Sequence, residues 1–284
     1  MEYVQLNNGV KMPLAGLGTF KMVSQKICTD SLAAAYEAGY RLVDTAQYYG
    51  NEEQLGRAIR ESGINREELF LTTKAWFLSY DNCRDGVLAS MKKLGTDYLD
   101  LILLHWPFGD VYTAWRDLEK LYEEGLVRAI GVANFSPARL MDLIRFHKIR
   151  PAVNQVEIHL FCQRQLELPW YAKYDAAPQA YAPLGQGKIN EMFTQQAVLD
   201  AALHHGKTPA QIALRFLVQQ GIVVIPKSSS PAHLKENIAI FDFTLTDAEM
   251  TALRQLDRAD PIVGKPDNPV KAEAALSWPA VATN

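Results

Sequence analysis

The sequence predicts an α/β fold: a closed (β/α)8 TIM barrel with an N-terminal β-hairpin and two extra helices. Three observations lead there. Short apolar runs alternate with helical patterns along the chain. Eight such pairs can be counted, the number that closes a parallel barrel. The length of 284 residues suits one barrel of roughly 250 residues better than two ordinary domains. Residues 1–284 are therefore read as a single domain.

The elements follow in order. Residues 3–13 place Asn-Asn-Gly between two short alternating runs, which predicts a hairpin, read as a lid. Strands are predicted at 14–17, 42–44, 69–73, 99–104, 129–132, 152–156, 178–182 and 222–225. Helical patterns occupy 24–38, 52–62, 82–94, 113–124, 137–146, 163–174, 209–220 and 231–240. The extra helices are 195–205 and 246–256, and the latter opens on Thr246-Asp247-Ala248-Glu249, the form of a capping box. An open doubly wound sheet is the competing fold. Its dinucleotide-binding turn would need a third glycine, which Gly16-Leu17-Gly18-Thr19-Phe20 lacks.

Composition excludes several roles. Hydrophobic residues make up 48% and charged residues 21%, enough for a large core. A net charge of −3 offers no field for nucleic acid. The three cysteines are odd in number and far apart, so they read as reduced thiols of a cytoplasmic protein. The N-terminus lacks a signal pattern, and no apolar run approaches the ~20 residues of a membrane span. A monomer is expected. So is the absence of metal: of six histidines only His204 and His205 are close, and they lack ligand spacing.

Sites of such barrels lie where the strands end at their C-terminal side. Polar groups gather there: Asp44, then Tyr48 and Tyr49, Lys74, His105, Asn134, Gln155, Tyr181 and Lys227. Taken singly, each has a plain explanation: a helix cap, a solvated lysine, a hydrogen-bonded core histidine. Together, Asp44, Tyr49, Lys74 and His105 make a chemical unit, because three successive strands bring them to one rim. A cationic lysine eases the ionisation of a phenol, an aspartate holds the lysine, and a histidine orients a substrate oxygen. That is general-acid chemistry toward a carbonyl. No serine or cysteine accompanies a base, so a nucleophilic triad is not indicated.

Seven stretches then carry a resemblance: RLVDTAQYYGNEEQLG (41–56), LTTKAW (71–76), LDLILLHWP (99–107), GLVRAIGVANFS (125–136), NQVE (154–157), AYAPLGQG (180–187) and IPKSSSPAHLKENI (225–238). Over residues 3–278 the chain resembles the aldo-keto reductases, and among them bacterial 2,5-diketogluconate and glyoxal-type reductases. The resemblance implies an NADPH-dependent oxidoreductase acting on small aldehydes, ketones or keto-sugars. It makes Tyr49 the proton donor, with Asp44, Lys74 and His105 beside it, and leaves Tyr48 a packing role. It assigns Asn134 and Gln155 to the nicotinamide carboxamide and Tyr181 to stacking on the ring. Lys227 and Ser228 go to the 2′-phosphate, and Glu236 and Asn237 to the adenine. Gly18, Thr19, Leu184, Ser229 and His233 join the cofactor set. Phe20, Trp76, His105 and Trp106 wall the substrate pocket, with Trp278 a possible addition.

Three positions depart from the family pattern: Ala133, Ala182 and His233. His233 stands where arginine is usual, so a weaker NADPH preference and some use of NADH are expected. Two other classes compete. One is a non-catalytic cofactor-bound sensor of the same fold. The other is a phosphate-binding isomerase on an unrelated barrel.

Overall fold

The computed structural model describes residues 1–280. A hairpin, β1 (Tyr3–Gln5) and β2 (Lys11–Pro13), comes first. The barrel then runs β3 (Gly16–Gly18), α1 (Gln25–Ala38), β4 (Leu42–Asp44), α2 (Glu52–Ser62), β5 (Phe70–Ala75) and α3 (Cys83–Leu94). It continues through β6 (Leu101–Leu104), α4 (Val111–Glu123), β7 (Ile130–Ala133), α5 (Pro137–Phe146), β8 (Val153–Glu157) and α6 (Leu168–Lys173). Next come β9 (Ala177–Tyr181), α7 (Ile189–Phe193), α8 (Gln196–His205), α9 (Pro209–Val218), β10 (Val223–Val224) and α10 (Pro231–Ile238). The helices α11 (Asp247–Arg254) and α12 (Pro269–Leu276) close the described chain.

All neighbours from β3 to β10 pair in parallel and in chain order. Parallel bridges Ala15–Val224 and Gly18–Lys227 join the last strand to the first. The closure explains Gly18: a Cβ there would lie 2.6 Å from the Ile225 carbonyl oxygen. Leu101, Ile102, Leu103 and Leu104 are all fully buried, as strands covered on both faces require.

Local chemistry sets the helix ends. The Ser24 side chain caps α1, and Gly39 ends it in the left-handed conformation at φ 104°. The expected capping box at Thr246 forms, with Glu249 accepting from the Thr246 backbone.

Four expectations need correction. The hairpin is no lid over the site. Asn7 and Asn8 donate to the carbonyls of Pro151 (3.0 Å) and Arg128 (2.8 Å), which precede β8 and β7, so it plugs the N-terminal end. The helix expected at 163–174 shrinks to α6, because Arg164 takes φ +54° and the Gln163 side chain is spent on the carbonyls of Leu160 and Leu253. The short helices α7 and α12 were not anticipated. The run at 99–104 is a continuous strand only from Leu101: Leu99 pairs with Val127 as an isolated bridge, and the Asp100 carboxylate accepts the Leu71 N–H and binds Arg66 and Arg128 at the foot of the barrel.

Candidate active site

The C-terminal ends of the strands surround a cavity of about 550 Å³. At its floor Asp44 closes β4, and Lys74 lies on the neighbouring strand β5. Both are buried. Lys74 Nζ donates to Asp44 Oδ1 at 2.5 Å, to the Thr45 carbonyl at 2.9 Å and to Tyr49 Oη at 3.2 Å. Its three hydrogens thus have three partners. Gln155 Nε2 donates to the other Asp44 oxygen at 2.9 Å. Tyr49 sits on a single turn of 3-10 helix, Gln47–Tyr49, directly after β4.

Burial pushes the Asp44 carboxyl above the ordinary aspartate value, while Lys74 and Gln155 limit the rise. Burial alone would pull Lys74 down, yet Asp44 and Tyr49 outweigh it and hold the ammonium above the lysine range. The short contact and the full set of partners identify an ion pair. At Tyr49 the expected lowering by Lys74 is present but outweighed. Its phenol is raised, because burial and Asp44 together exceed the lowering by Lys74. The phenol therefore keeps its proton at neutral pH, the state a proton donor needs. His105 is held well below the ordinary histidine value by burial and by Lys74, so its ring is neutral. Its Nδ1 is buried and has no partner among the described residues, so the nitrogen left to meet a ligand is Nε2.

The remaining expected residues fall into three groups. Gly18, Thr19, Asn134, Gln155, Tyr181, Leu184 and Lys227 line the cavity, together with Phe20, Trp106 and Trp278. Asn134 Nδ2 donates to the His105 carbonyl (3.0 Å) and its Oδ1 accepts from Tyr181 Oη (2.8 Å). A planar amide ligand would meet Asn134, Gln155 and the Tyr181 ring beside Tyr49, so these groups fit a nicotinamide, provided that Tyr181 gives up its bond to Asn134. A second group lies past the cavity. Ser228, Ser229, His233, Glu236 and Asn237 sit after β10 and in α10, where Ser229 and His233 are exposed. Glu236 is also engaged, accepting from Thr208 Oγ1 at 2.5 Å. Trp76 stands alone. It is buried behind Tyr48, ring centroids 4.2 Å apart, and does not line the cavity. Tyr48 forms the wall in its place and stacks toward Trp278 (5.9 Å).

One residue of the NQVE stretch has no role assigned from the sequence, and the structure gives it a structural one. Glu157, at the end of β8, is fully buried. Its carboxylate accepts three successive backbone N–H groups, from Ile262 (2.6 Å), Val263 (2.7 Å) and Gly264 (2.7 Å). Burial opposes the charge, but His159 and the three amides hold its carboxyl below the glutamate range. Arg164 adds a bond to the Gly264 carbonyl at 3.1 Å. This strap presents Val263 to the cavity and lays Gly264 on Tyr181, where a Cβ would come within 2.0 Å of Tyr181 Oη. The partners lie over 100 positions from Glu157, so no local pattern could reveal them.

Comparison with known proteins agrees with the geometry. The profile of the Aldo/keto reductase family matches residues 15–258. The chain is 42% identical over 271 residues to the 9,11-endoperoxide prostaglandin H2 reductase of Trypanosoma cruzi, covering 93% of this chain and 95% of that one. It is 43% identical to the glyoxal reductase of Bacillus subtilis, covering 94% and 96%. Among solved structures it is similar to the Bombyx mori aldo-keto reductase in complex with NADP: TM-score 0.88, 32% identity, 94% and 96% covered. The chain belongs to the aldo/keto reductase family.

Proposed function

We propose that the chain reduces the carbonyl group of small aldehydes, ketones or keto-sugars, with NADPH as cofactor and Tyr49 as general acid. One observation carries this: the Tyr49 phenol at the cavity floor, fixed 3.2 Å from the buried Lys74 ammonium. Bound NADPH would supply the hydride. The protein's own part is electrostatic and geometric. A substrate oxygen between Tyr49 and neutral His105 would receive two hydrogen bonds as its negative charge develops. The two rings stand edge to face with centroids 5.8 Å apart and line the same cavity. Lys74 stabilises the tyrosinate left behind, and Asp44 keeps Lys74 charged. Phe20, Tyr48, Trp106 and Trp278 give the cavity apolar walls that exclude water. Two relatives of near-equal identity carry different substrate names, glyoxal and a prostaglandin endoperoxide, so the proposal stays at the carbonyl class.

For the cofactor, Asn134, Gln155 and Tyr181 would hold the nicotinamide. Lys227, Ser228, Ser229 and the N-terminus of α10 would hold the 2′-phosphate. With His233 exposed and lacking a guanidinium fork, NADH should also serve. The test compares Tyr49→Phe with Tyr48→Phe in NADPH oxidation against a panel that includes methylglyoxal and an aromatic aldehyde. Tyr49→Phe should bind NADPH normally and lose roughly 10²–10⁴-fold in turnover. Greater damage from Tyr48→Phe would overturn the assignment.

A further inference from the structure

The outer face of the barrel gathers three metal-ligating side chains that the carbonyl chemistry does not use. His204 and His205 end α8, and Glu249 lies in the first turn of α11. Neighbouring helix residues point about 100° apart. Here both rings nonetheless turn to one carboxylate: His204 Nδ1 lies 2.8 Å from Oε1, and His205 Nε2 lies 3.0 Å from Oε2. The donor atoms all fall within 4.8 Å of one another. Zinc–ligand bonds of about 2.0–2.2 Å imply donor–donor edges of roughly 3.3 Å in a tetrahedral site. The two nitrogen–oxygen spacings, 2.8 and 3.0 Å, are hydrogen-bond lengths somewhat shorter than that edge, so an ion entering between the three side chains would spread them slightly. The two adjacent histidines lack ligand spacing by themselves; the third candidate ligand comes from another helix, 45 positions away.

The carboxylate is already oriented. Glu249 Oε2 accepts from Thr246 N (2.7 Å) and Thr246 Oγ1 (2.9 Å), whereas Oε1 has only His204. A cation can take Oε1 while Oε2 keeps the helix cap. His205 is mostly buried beside Phe243, ring centroids 5.1 Å apart, which restricts its rotation. The last turn of α8 also presents the negative end of the helix dipole.

We propose that His204 Nδ1, His205 Nε2 and Glu249 bind one divalent cation of the zinc class, water completing the shell, as a clip between α8 and α11. Two imidazoles and one carboxylate favour such a borderline ion over magnesium. The test is calorimetric titration of tag-free protein with ZnCl2 in a non-chelating buffer, with melting curves with and without EDTA. One Zn2+ per chain should bind, and the melting temperature should rise by several degrees and fall back on chelation. His204→Ala removes an exposed ligand. Glu249→Gln keeps an oxygen for the cap and removes the charge. Each should weaken Zn2+ at least tenfold, and MgCl2 should give no saturable heat. Absence of saturable Zn2+ binding below millimolar overturns the proposal. So does binding as strong in both variants as in the wild type, which would place the ion elsewhere.

Discussion

The inner and outer ends of the cavity are built on opposite plans. At the inner end Asp44, Lys74, Tyr49 and Gln155 are cross-linked by bonds of 2.5–3.2 Å, and Asp44 and Lys74 are at most 1% exposed. At the outer end Lys227, Ser229 and His233 are exposed, and the side chains of Lys227 and His233 have no hydrogen bond among the described residues. The difference teaches where each job can be done. Tuning a phenol needs low dielectric and fixed partners, since water would screen both. Holding a charged cofactor tail needs only an accessible positive surface. Between the ends, Glu157 ties down the strap that carries Val263 over the cavity.

The sharpest way to break this contrast is Lys74→Met. It leaves the Asp44 carboxylate buried with Gln155 as its main donor, which should cost about 3–5 kcal/mol of stability. Carbonyl reduction should collapse. Any residual oxidation activity should shift its profile to higher pH, because burial and Asp44 then raise Tyr49 unopposed. Urea unfolding and pH–rate profiles read both effects. The double variant Asp44→Asn/Lys74→Met should regain much of the stability and none of the activity. If the profile stays put, Lys74 is scaffold only.

A middle-sized effect is expected at the strap. Glu157→Gln removes the charge that three amides face and should cost about 1–3 kcal/mol. The pH dependence has a definite sign. The folded carboxyl lies below its ordinary value of 4.5, so its stabilisation is present above that pH and is lost as pH falls through the folded value. Thermal unfolding curves of wild type and variant should therefore differ at pH 7 and converge on acidification below 4.5. A constant gap down to pH 3 would mean that the charge is not what holds the strap. Because Val263 lines the cavity, NADPH should also bind more weakly to the variant.

The smallest effect belongs to the outer end. His233→Arg adds a guanidinium on the exposed first turn of α10. Exposed charge contacts are worth about 0.2–1 kcal/mol, so NADPH should tighten by no more than about fivefold and NADH should not change. Dissociation constants from fluorescence titration decide it. Equal tightening of both cofactors would show that residue 233 does not meet the 2′-phosphate.

What the sequence alone determined is every feature written in local pattern. The alternation of apolar runs and helical periods specified the barrel, because burial on both faces leaves strands continuously apolar. Asp44, Lys74 and His105 were legible because each ends or directly follows such a run, whereas Tyr49 was told from Tyr48 only by the family resemblance. The Thr246 capping box was legible because its partners are three residues apart. Tertiary structure decided the rest. It sent the hairpin to the far end, put Tyr48 before Trp76, gave Glu157 its three amides, and brought Glu249 to His204 and His205. It also set the burial that opposes the lowering of Tyr49 by Lys74. The common reason is distance along the chain. Periodicity states which side of an element is buried, but the depth of burial and the partners found there exist only once the barrel has closed around them.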